Sequence, residues 1–254
     1  TLNTNCDKHS TDCLCFTIGI TTFKDRFNPY FKPLVKKLNH LFPHNQIVVV
    51  VNGDVKQQEQ LEYLKKIKKF LSKFSNITPL YYETPVGLSK MWNQIIINSK
   101  NDKILMLNDD LNIKPEFYKE LVDSNILETN IGVINGTWGN FVIDKTIIKR
   151  IGWFDERLTE IGGEDDDYAA RIAMEGIDVM HTRISSIKNS SKKYKSNSYG
   201  HDMTGEFRYS QKNSEFLKSK WDISDKPIVG YTFVPNRKYK YWKLKESFTT
   251  SVFP

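Results

Sequence analysis

The sequence predicts an α/β fold, a single domain built on a mixed, mostly parallel sheet flanked by helices. Short apolar runs alternate with amphipathic stretches, several of these runs are continuously apolar, and polar or acidic residues follow them. A continuously apolar strand indicates a sheet that is covered on both faces, and such sheets are largely parallel. Ligands of open α/β sheets bind outside the carboxyl ends of the strands, so the polar residues there are the first site candidates.

The first half of the chain is predicted to alternate strands and helices. The predicted strands are residues 15–21, 46–51, 77–82 and 103–107, and the predicted helices are residues 29–41, 57–74 and 88–98. The spacing of Leu61, Leu64 and Ile67 is typical of one helix face. Thr21, Asn52 and Asp110 lie at strand ends and are therefore expected to line one crevice.

The second half is less regular. The predicted elements are a helix at residues 115–121, a strand interrupted by glycines at 132–143, a short helix at 144–151 and a helix that begins at 164. Residues 188–197 are predicted to be a mobile loop. His181 is predicted to be buried in a strand-like run.

The chain of 254 residues has a formal net charge of +7, and the excess lies near its C-terminal end. From Ser185 to Pro254 there are 14 Lys or Arg against 6 Asp or Glu. Such a charge suits a diphosphate, an anionic membrane surface or an acidic polymer, and a solvated surface is the alternative. No nucleic acid is expected as a partner, because no nucleic-acid-binding motif accompanies the charge.

The cysteines and the hydropathy bear on the compartment. No apolar run reaches the roughly 18 to 20 residues that cross a bilayer. Cys6, Cys13 and Cys15 cannot all pair within one molecule, and their spacing lacks the paired knuckles of structural zinc sites. We therefore expect a cytoplasmic protein, with or without peripheral membrane contact, and a secretory lumen is the alternative.

Two acidic clusters are the main candidates for chemistry. Asn108, Asp109 and Asp110 follow an apolar strand, whose rigid end can aim carboxylates at a hard cation such as Mg²⁺ or Mn²⁺. The same three residues are also common in ordinary turns.

The second cluster is Gly162-Gly163 followed by four acids, Glu164 to Asp167, at the start of a predicted helix. A helix N-terminus favours negative charge, and crowded carboxylates raise one another's pKa, as a general base requires. Helix capping is the alternative, although four acids exceed what capping needs.

Five segments, taken in order, resemble the GT-A glycosyltransferases, especially those of family 2. They are the Thr-rich loop after the first strand and residues 87–93, 108–110, 152–156 and 163–167. The GGEDDD string is also similar to that of the β-1,4-galactosyltransferases. The resemblance covers roughly residues 16–221 and implies the Rossmann-like GT-A fold.

The resemblance also implies roles for single residues. Asp110 would bind a Mn²⁺ or Mg²⁺ cofactor that bridges the donor phosphates, and His201 is the candidate for a further metal ligand. Asp165 would be the general base. The donor-binding residues would be Thr21, Thr22, Asn52, Asp54, Lys90, Asn93, Asn108 and Asp109, and the acceptor-binding residues Trp138, Glu164 and Asp166.

This sequence departs from the family's pattern at three places. Asn108 replaces the first acid of the metal-binding motif, as it does in many family 2 members. Asn52 stands where an acid commonly reads uracil. The family's metal-binding His is expected near Asn189, which is not His.

The implied activity is metal-dependent transfer of a sugar from a nucleotide diphosphate donor, a UDP-sugar, to a hydroxyl of a glycan or glycoconjugate, with inversion. Two alternatives stay open: a noncatalytic module that binds a nucleotide-sugar or carbohydrate, and a nucleotidyltransferase. The latter would need a glycine-rich phosphate loop after the first strand, and residues 21–28 contain no glycine.

The same resemblance divides the chain into three parts. Residues 1–14 would be a flexible N-terminal segment, and residues 15–222 the catalytic domain. Within that domain the donor half is residues 15–112 and the acceptor half residues 113–222. Residues 223–254 would form a basic C-terminal extension.

Overall fold

The computed structural model describes residues 15–190, 211–222 and 243–245. The strands are β1 Thr17–Thr22, β2 Ile47–Val51, β3 Ile77–Tyr81, β4 Lys103–Leu107, β5 Leu111–Ile113, β6 Ile131–Ile134, β7 Thr137–Asp144, β8 Met180–Thr182, β9 Ile187–Asn189, β10 Trp221–Asp222 and β11 Lys243–Leu244. The helices are α1 Lys32–Leu41, α2 Gln57–Leu71, α3 Leu88–Asn98, α4 Phe117–Asp123, α5 Lys145–Ile151, α6 Glu164–Met174 and α7 Gln211–Lys220.

The main sheet has seven strands in the order β3-β2-β1-β4-β7-β6-β8. Only β7 runs against its neighbours, so the sheet is mixed and mostly parallel as predicted. The chain moves to one side of β1 for β2 and β3 and to the other side for β4. The carboxyl ends of β1 and β4 therefore form the switch point at which open α/β sheets bind ligands.

Both faces of the sheet are covered, which explains the continuously apolar strands. In β2, Ile47, Val49 and Val51 pack in the core beneath α1, α2 and α4. The alternate residues Val48 and Val50 pack in the opposite core beneath α3, α5 and α6. A strand between two helical layers has no polar face, so its sequence shows no alternation.

The predicted glycine-interrupted strand at residues 132–143 is wrong in one respect, because it is a hairpin of two strands. Asn135 and Gly136 form its turn with φ values of 54° and 69°. Two consecutive positive φ values characterise the type I′ turn, which Asn-Gly favours and which reverses the chain between β6 and β7.

The first predicted helix also begins differently. Residues Lys24–Arg26 form a 3-10 turn and Phe27–Phe31 a π-helical turn before α1 starts at Lys32. This short segment follows β1 directly and lies at the switch point.

The C-terminal elements attach to the main domain. Leu217 of α7 and Trp221 pack with Leu158 and Ala170, and β11 pairs antiparallel with β10. Residues 243–244, from the predicted basic extension, thus form a strand against the end of the predicted catalytic domain. No helix in the described part of the chain is long and apolar enough to cross a membrane.

Candidate active site

The carboxyl ends of β1, β2 and β4, together with the start of β7, form one edge of the sheet, here called the crevice edge. Asn52, just after β2, is fully buried and ties two loops of this edge together. Its amide donates to the Val86 carbonyl at 3.0 Å, and its side-chain oxygen accepts from the Val86 amide at 2.9 Å. The Asn52 side chain thus holds the loop before α3 in place, which the sequence did not indicate.

The loop that leads towards α6 is held to the start of α3. The Leu88 amide donates to the Glu160 carbonyl at 3.2 Å. Gly87 is needed there, because a Cβ atom on it would lie 2.5 Å from the Leu158 carbonyl oxygen. Since α3 follows the parallel strand β3, its first residues lie at the crevice edge, and the loop at residues 158–160 lies there too.

Asn93 makes the second link between α3 and this loop. Its amide donates to the Phe154 carbonyl at 2.9 Å and to Glu156 at 3.0 Å, and its oxygen accepts from the Phe154 amide at 3.0 Å. Asn93 is fully buried. Asn93, a predicted donor-binding residue, joins two of the five segments of the resemblance, residues 87–93 and 152–156, to each other.

The two acidic clusters come to the same edge of the sheet. Asn140 of β7 accepts a hydrogen bond from the Asn108 amide at 3.1 Å. Trp138, on the same strand, packs against Tyr168 of α6 with ring centroids 6.5 Å apart. The start of β7 therefore lies beside the acids after β4 on one side and beside the first turns of α6 on the other.

Asp109 and Asp110 are both buried, each only 3% exposed. Arg26 bridges them: its Nη1 lies 2.8 Å from Oδ1 of Asp109 and 3.3 Å from Oδ2 of Asp110. Burial raises the pKa of Asp109, and the positive charge of Arg26 opposes that rise. The buried Thr22 hydroxyl lies beside Asp109 and also lowers the pKa of Asp109.

Two buried carboxylates fit a divalent cation that a diphosphate helps to bind. Magnesium sites commonly use one or two protein carboxylates together with substrate phosphates and water. Within the described ranges, no three His, Cys, Asp or Glu side chains gather as a protein-only metal site. His201, the predicted further ligand, lies outside those ranges. The Ser190 amide donates to the Asp110 carbonyl at 2.7 Å, so the segment near Asn189 does lie against Asp110.

The second cluster forms the first turn of α6, and its four acids differ sharply in exposure. Glu164, Asp166 and Asp167 are buried, whereas Asp165 is partly exposed. Glu164 accepts a hydrogen bond from the Gly162 amide at 2.7 Å. Burial and the adjacent charge of Asp165 raise the pKa of Glu164 well above its usual range. Asp165 is therefore the one of the four that is open to solvent, whereas Glu164 and Asp166, which were predicted to bind the acceptor, are 4% and 3% exposed.

Asp167 belongs to a buried network that the sequence did not reveal. Lys220, fully buried at the end of α7, lies 2.6 Å from Asp167 and 2.7 Å from Asp155. Nε of Arg171 and the Trp221 indole also donate hydrogen bonds to Asp167, at 3.0 and 2.9 Å. Burial alone would raise the pKa of Asp155, but Arg157 and Lys220 lower it to about 2. One of the C-terminal basic residues is thus a core ion and not a surface charge.

The remaining predicted donor residues lie at the crevice edge. Thr21 and Lys90 are partly exposed there, on β1 and in the first turn of α3. Asp54 is buried and accepts from the Lys56 amide at 2.8 Å, and Lys24 lies 3.0 Å from it. Asn108 is partly exposed and packs against Gly139. A Cβ atom on Gly139 would lie 2.2 Å from the side-chain amide nitrogen of Asn108.

Two expectations about buried and exposed side chains need correction. His181 was predicted to be buried but is exposed, because β8 is a short strand at the edge of the sheet. Trp138 was predicted to bind the acceptor, but it is only 4% exposed and packs against Phe141 and Tyr168. Its ring belongs to the core beneath α3, α5 and α6.

Comparison with known proteins gives no match in sequence and clear matches in structure. No family model matches the chain, and no curated protein matches it. GalNAc-T7, solved with UDP, GalNAc and Mn²⁺, has a TM-score of 0.53 at 13% identity, over 70% of this chain and 44% of that chain. The mannosyltransferase PcManGT from Pyrobaculum calidifontis, in complex with GDP-Man and Mn²⁺, has a TM-score of 0.50 at 12% identity. The match covers 70% of this chain and 57% of that chain.

A third neighbour, TarS from S. aureus, has a TM-score of 0.50 at 15% identity, over 68% of this chain and 36% of that chain. These neighbours are GT-A glycosyltransferases. The fold is of the GT-A type. At these identities the likeness concerns the fold, and the chain matches less than two thirds of the length of each neighbour.

Proposed function

We propose that this chain is a metal-dependent glycosyltransferase that moves a sugar from a nucleotide diphosphate, a UDP-sugar, to a hydroxyl of a glycan or glycoconjugate, with inversion. The observation that supports this most directly is the pairing of two unlike acidic clusters at one crevice edge. One cluster buries two carboxylates beside the switch point, as a cation site requires. The other leaves a single carboxylate, that of Asp165, partly open to solvent.

In the proposed reaction Asp165 takes the proton of the acceptor hydroxyl. The acceptor oxygen then forms a bond to the anomeric carbon of the donor sugar, and the bond from that carbon to the diphosphate oxygen breaks. Attack from the side opposite the leaving group inverts the anomeric configuration. General base catalysis of this kind typically contributes about 10²- to 10⁴-fold in rate.

Asp109 and Asp110 have a separate role in the proposal. Asp110 was predicted as the metal ligand and Asp109 as a donor-binding residue, but both carboxylates bond to Arg26, and we propose that both would hold Mn²⁺ or Mg²⁺. The metal would act as a Lewis acid and stabilise the negative charge of the departing diphosphate. Thr21, Thr22, Asp54 and Lys90, which lie around the ends of β1 and β2 and the start of α3, would hold the nucleoside diphosphate. Asn52 and Asn93 would act on the donor indirectly, by positioning the loops to which they bond.

The proposal is tested by calorimetric titration of the purified chain with UDP, GDP and their sugars, with and without Mn²⁺. We expect UDP or a UDP-sugar to bind in the presence of Mn²⁺ and to lose most of its affinity when EDTA removes the metal. Affinity that is the same with EDTA would contradict the metal dependence. Failure of every nucleotide to bind would contradict the donor site itself.

A donor-hydrolysis and transfer assay on the nucleotide-sugar that binds separates the enzyme from the alternatives. A glycosyltransferase releases the nucleoside diphosphate and transfers the sugar to an acceptor with inverted configuration. A binding module holds the donor and produces neither. A nucleotidyltransferase would instead release pyrophosphate in a parallel reaction that contains a nucleoside triphosphate and a sugar phosphate, which phosphate analysis detects.

A further inference from the structure

Arg26 occupies the position between the two carboxylates that a metal ion would need. Its Nη1 bonds to Asp109 at 2.8 Å and lies 3.3 Å from Asp110. The side chain is 21% exposed, whereas both carboxylates are nearly buried. The cation therefore closes the pair from the solvent side.

The turn that carries Arg26 spans the crevice edge. It follows β1, which lies between β2 and β4 in the sheet. From this one turn Lys24 reaches Asp54, after β2, at 3.0 Å, while Arg26 reaches the acids after β4. Two cations of a single short segment thus neutralise acids on both sides of the switch point. The guanidinium also lies 5.3 Å from the Phe23 ring, a contact of the cation–π type.

The charges of this arrangement conflict with simultaneous metal binding. The two carboxylates and the Arg26 guanidinium together carry a net charge of −1. A divalent cation bound to the same carboxylates would place two more positive charges within a few ångströms of Arg26. Like charges at such distances repel strongly where water is excluded. A guanidinium that leaves the carboxylates needs another anion, and a diphosphate accepts its paired N–H donors.

We propose that Arg26 is a built-in counter-cation of the Asp109–Asp110 pair, that a divalent metal displaces it, and that the displaced guanidinium binds the diphosphate of the donor. This inference rests on the proposed function and gives Arg26 one role without metal and donor and another when both are bound. In the empty state Arg26 compensates two buried charges that would otherwise destabilise the fold. In the loaded state it adds a ligand for the donor and favours binding of metal and nucleotide together.

The test compares Arg26→Gln with the unmodified chain in two measurements. The first is Mn²⁺ binding without nucleotide, followed by electron paramagnetic resonance of the free ion. A neighbouring opposite charge changes the proton affinity of a carboxylate by about 10- to 1000-fold, so we expect Arg26→Gln to bind Mn²⁺ at least about tenfold more tightly. The second is UDP binding at saturating Mn²⁺, for which we expect the affinity to fall about tenfold or more.

Arg150→Gln is the matched control, because Arg150 is an exposed arginine that also lies near an acid, Glu175, at 3.5 Å. It should change neither affinity. If Arg26→Gln leaves Mn²⁺ affinity unchanged or weakens it, the displacement is wrong. If it tightens Mn²⁺ binding and leaves UDP binding unchanged, the second role of Arg26 is wrong.

A measurement on the unmodified chain covers the case in which Arg26→Gln does not fold. Nuclear magnetic resonance of the arginine side-chain nitrogens during a Mg²⁺ titration should show the Arg26 signal shifting with the metal and shifting again when UDP is added. An Arg26 signal that ignores both ligands overturns the proposal. A chain that binds UDP without any metal would make Arg26 a permanent substitute for the cation, which also overturns it. Failure of the unmodified chain to bind UDP at all would instead refute the proposed function.

Discussion

Asp165→Asn is expected to lower the rate of sugar transfer by about 10²- to 10⁴-fold, because an amide cannot take the proton of the acceptor hydroxyl. The nucleotide donor should bind with nearly unchanged affinity, since its proposed ligands lie around β1, β2 and β4. The substitution should also leave thermal stability almost unchanged, because Asp165 is partly exposed at the start of α6. Steady-state kinetics, donor calorimetry and a melting curve on one preparation measure all three.

Two other acids of the same helix region serve as controls. Asp178→Asn changes an exposed acid beyond the C-terminal end of α6 and should leave the rate unchanged. Asp167→Asn removes a charge from the buried network, so it should lower the melting temperature as well as the rate. Transfer by Asp165→Asn within a few fold of the unmodified rate would remove Asp165 from the mechanism.

Lys220→Met is expected to be the most destabilising single substitution that we consider. Lys220 is fully buried, and its ammonium group lies between Asp155 and Asp167 at 2.7 and 2.6 Å. Removal of one partner from a buried ion pair costs about 3–5 kcal/mol, because it leaves an uncompensated charge. In a chain of this size that corresponds to a fall in melting temperature of roughly 6–20 °C. Lys218→Met, on the exposed side of the same helix, should change it little.

The pH dependence of stability should change with the same substitution. The pKa of Asp155 is lowered to about 2 in the folded chain, against about 3.9 when unfolded. Its charge therefore stabilises the fold above about pH 4, and this contribution is lost as the pH falls towards 2. Lys220→Met removes part of the cause, so its stability should fall less steeply over this range than that of the unmodified chain. Equal slopes in acid denaturation curves would contradict this account of Asp155.

The sheet and most helices could be predicted because their signals are local. Residues 88–98 and 103–107 were predicted with the bounds that the structure shows, since each has a clear period and a clear end. The hairpin at Asn135-Gly136 also had a local signal, the Asn-Gly dipeptide, but the glycines were interpreted as interruptions of one strand. The strand-like run around His181 is β8, but its place at the edge of the sheet depends on pairing with β6, which lies far away along the chain. Residues 188 and 189, predicted as part of a mobile loop, belong to β9, which pairs with the distant β5; residues 191–197 of that predicted loop lie outside the described residues.

The sequence indicated which residue types form the site, but it did not indicate which of their side chains are exposed. Asp165 and Asp167 are alike in sequence, and only the fold shows that one is partly open while the other bonds to Lys220. Asn52 and Asn93 were identified as important polar residues, yet the backbone groups that they bond to are brought near by folding. Lys220 was counted among the basic residues from Ser185 to Pro254, because a charge count does not show which of these residues are buried. No sequence pattern links Arg26 to Asp109 and Asp110, since these acids lie 83 and 84 positions away along the chain.

A crystal structure of the chain with Mn²⁺ and an intact UDP-sugar would show whether both acidic clusters face the same bound donor. We expect the metal between the carboxylates after β4 and the two phosphates, the Arg26 side chain turned from those carboxylates to the diphosphate, and the Asp165 carboxylate facing the anomeric carbon across the crevice. A donor bound elsewhere, or an Asp165 side chain that points away from the sugar with no path between them, would contradict the account.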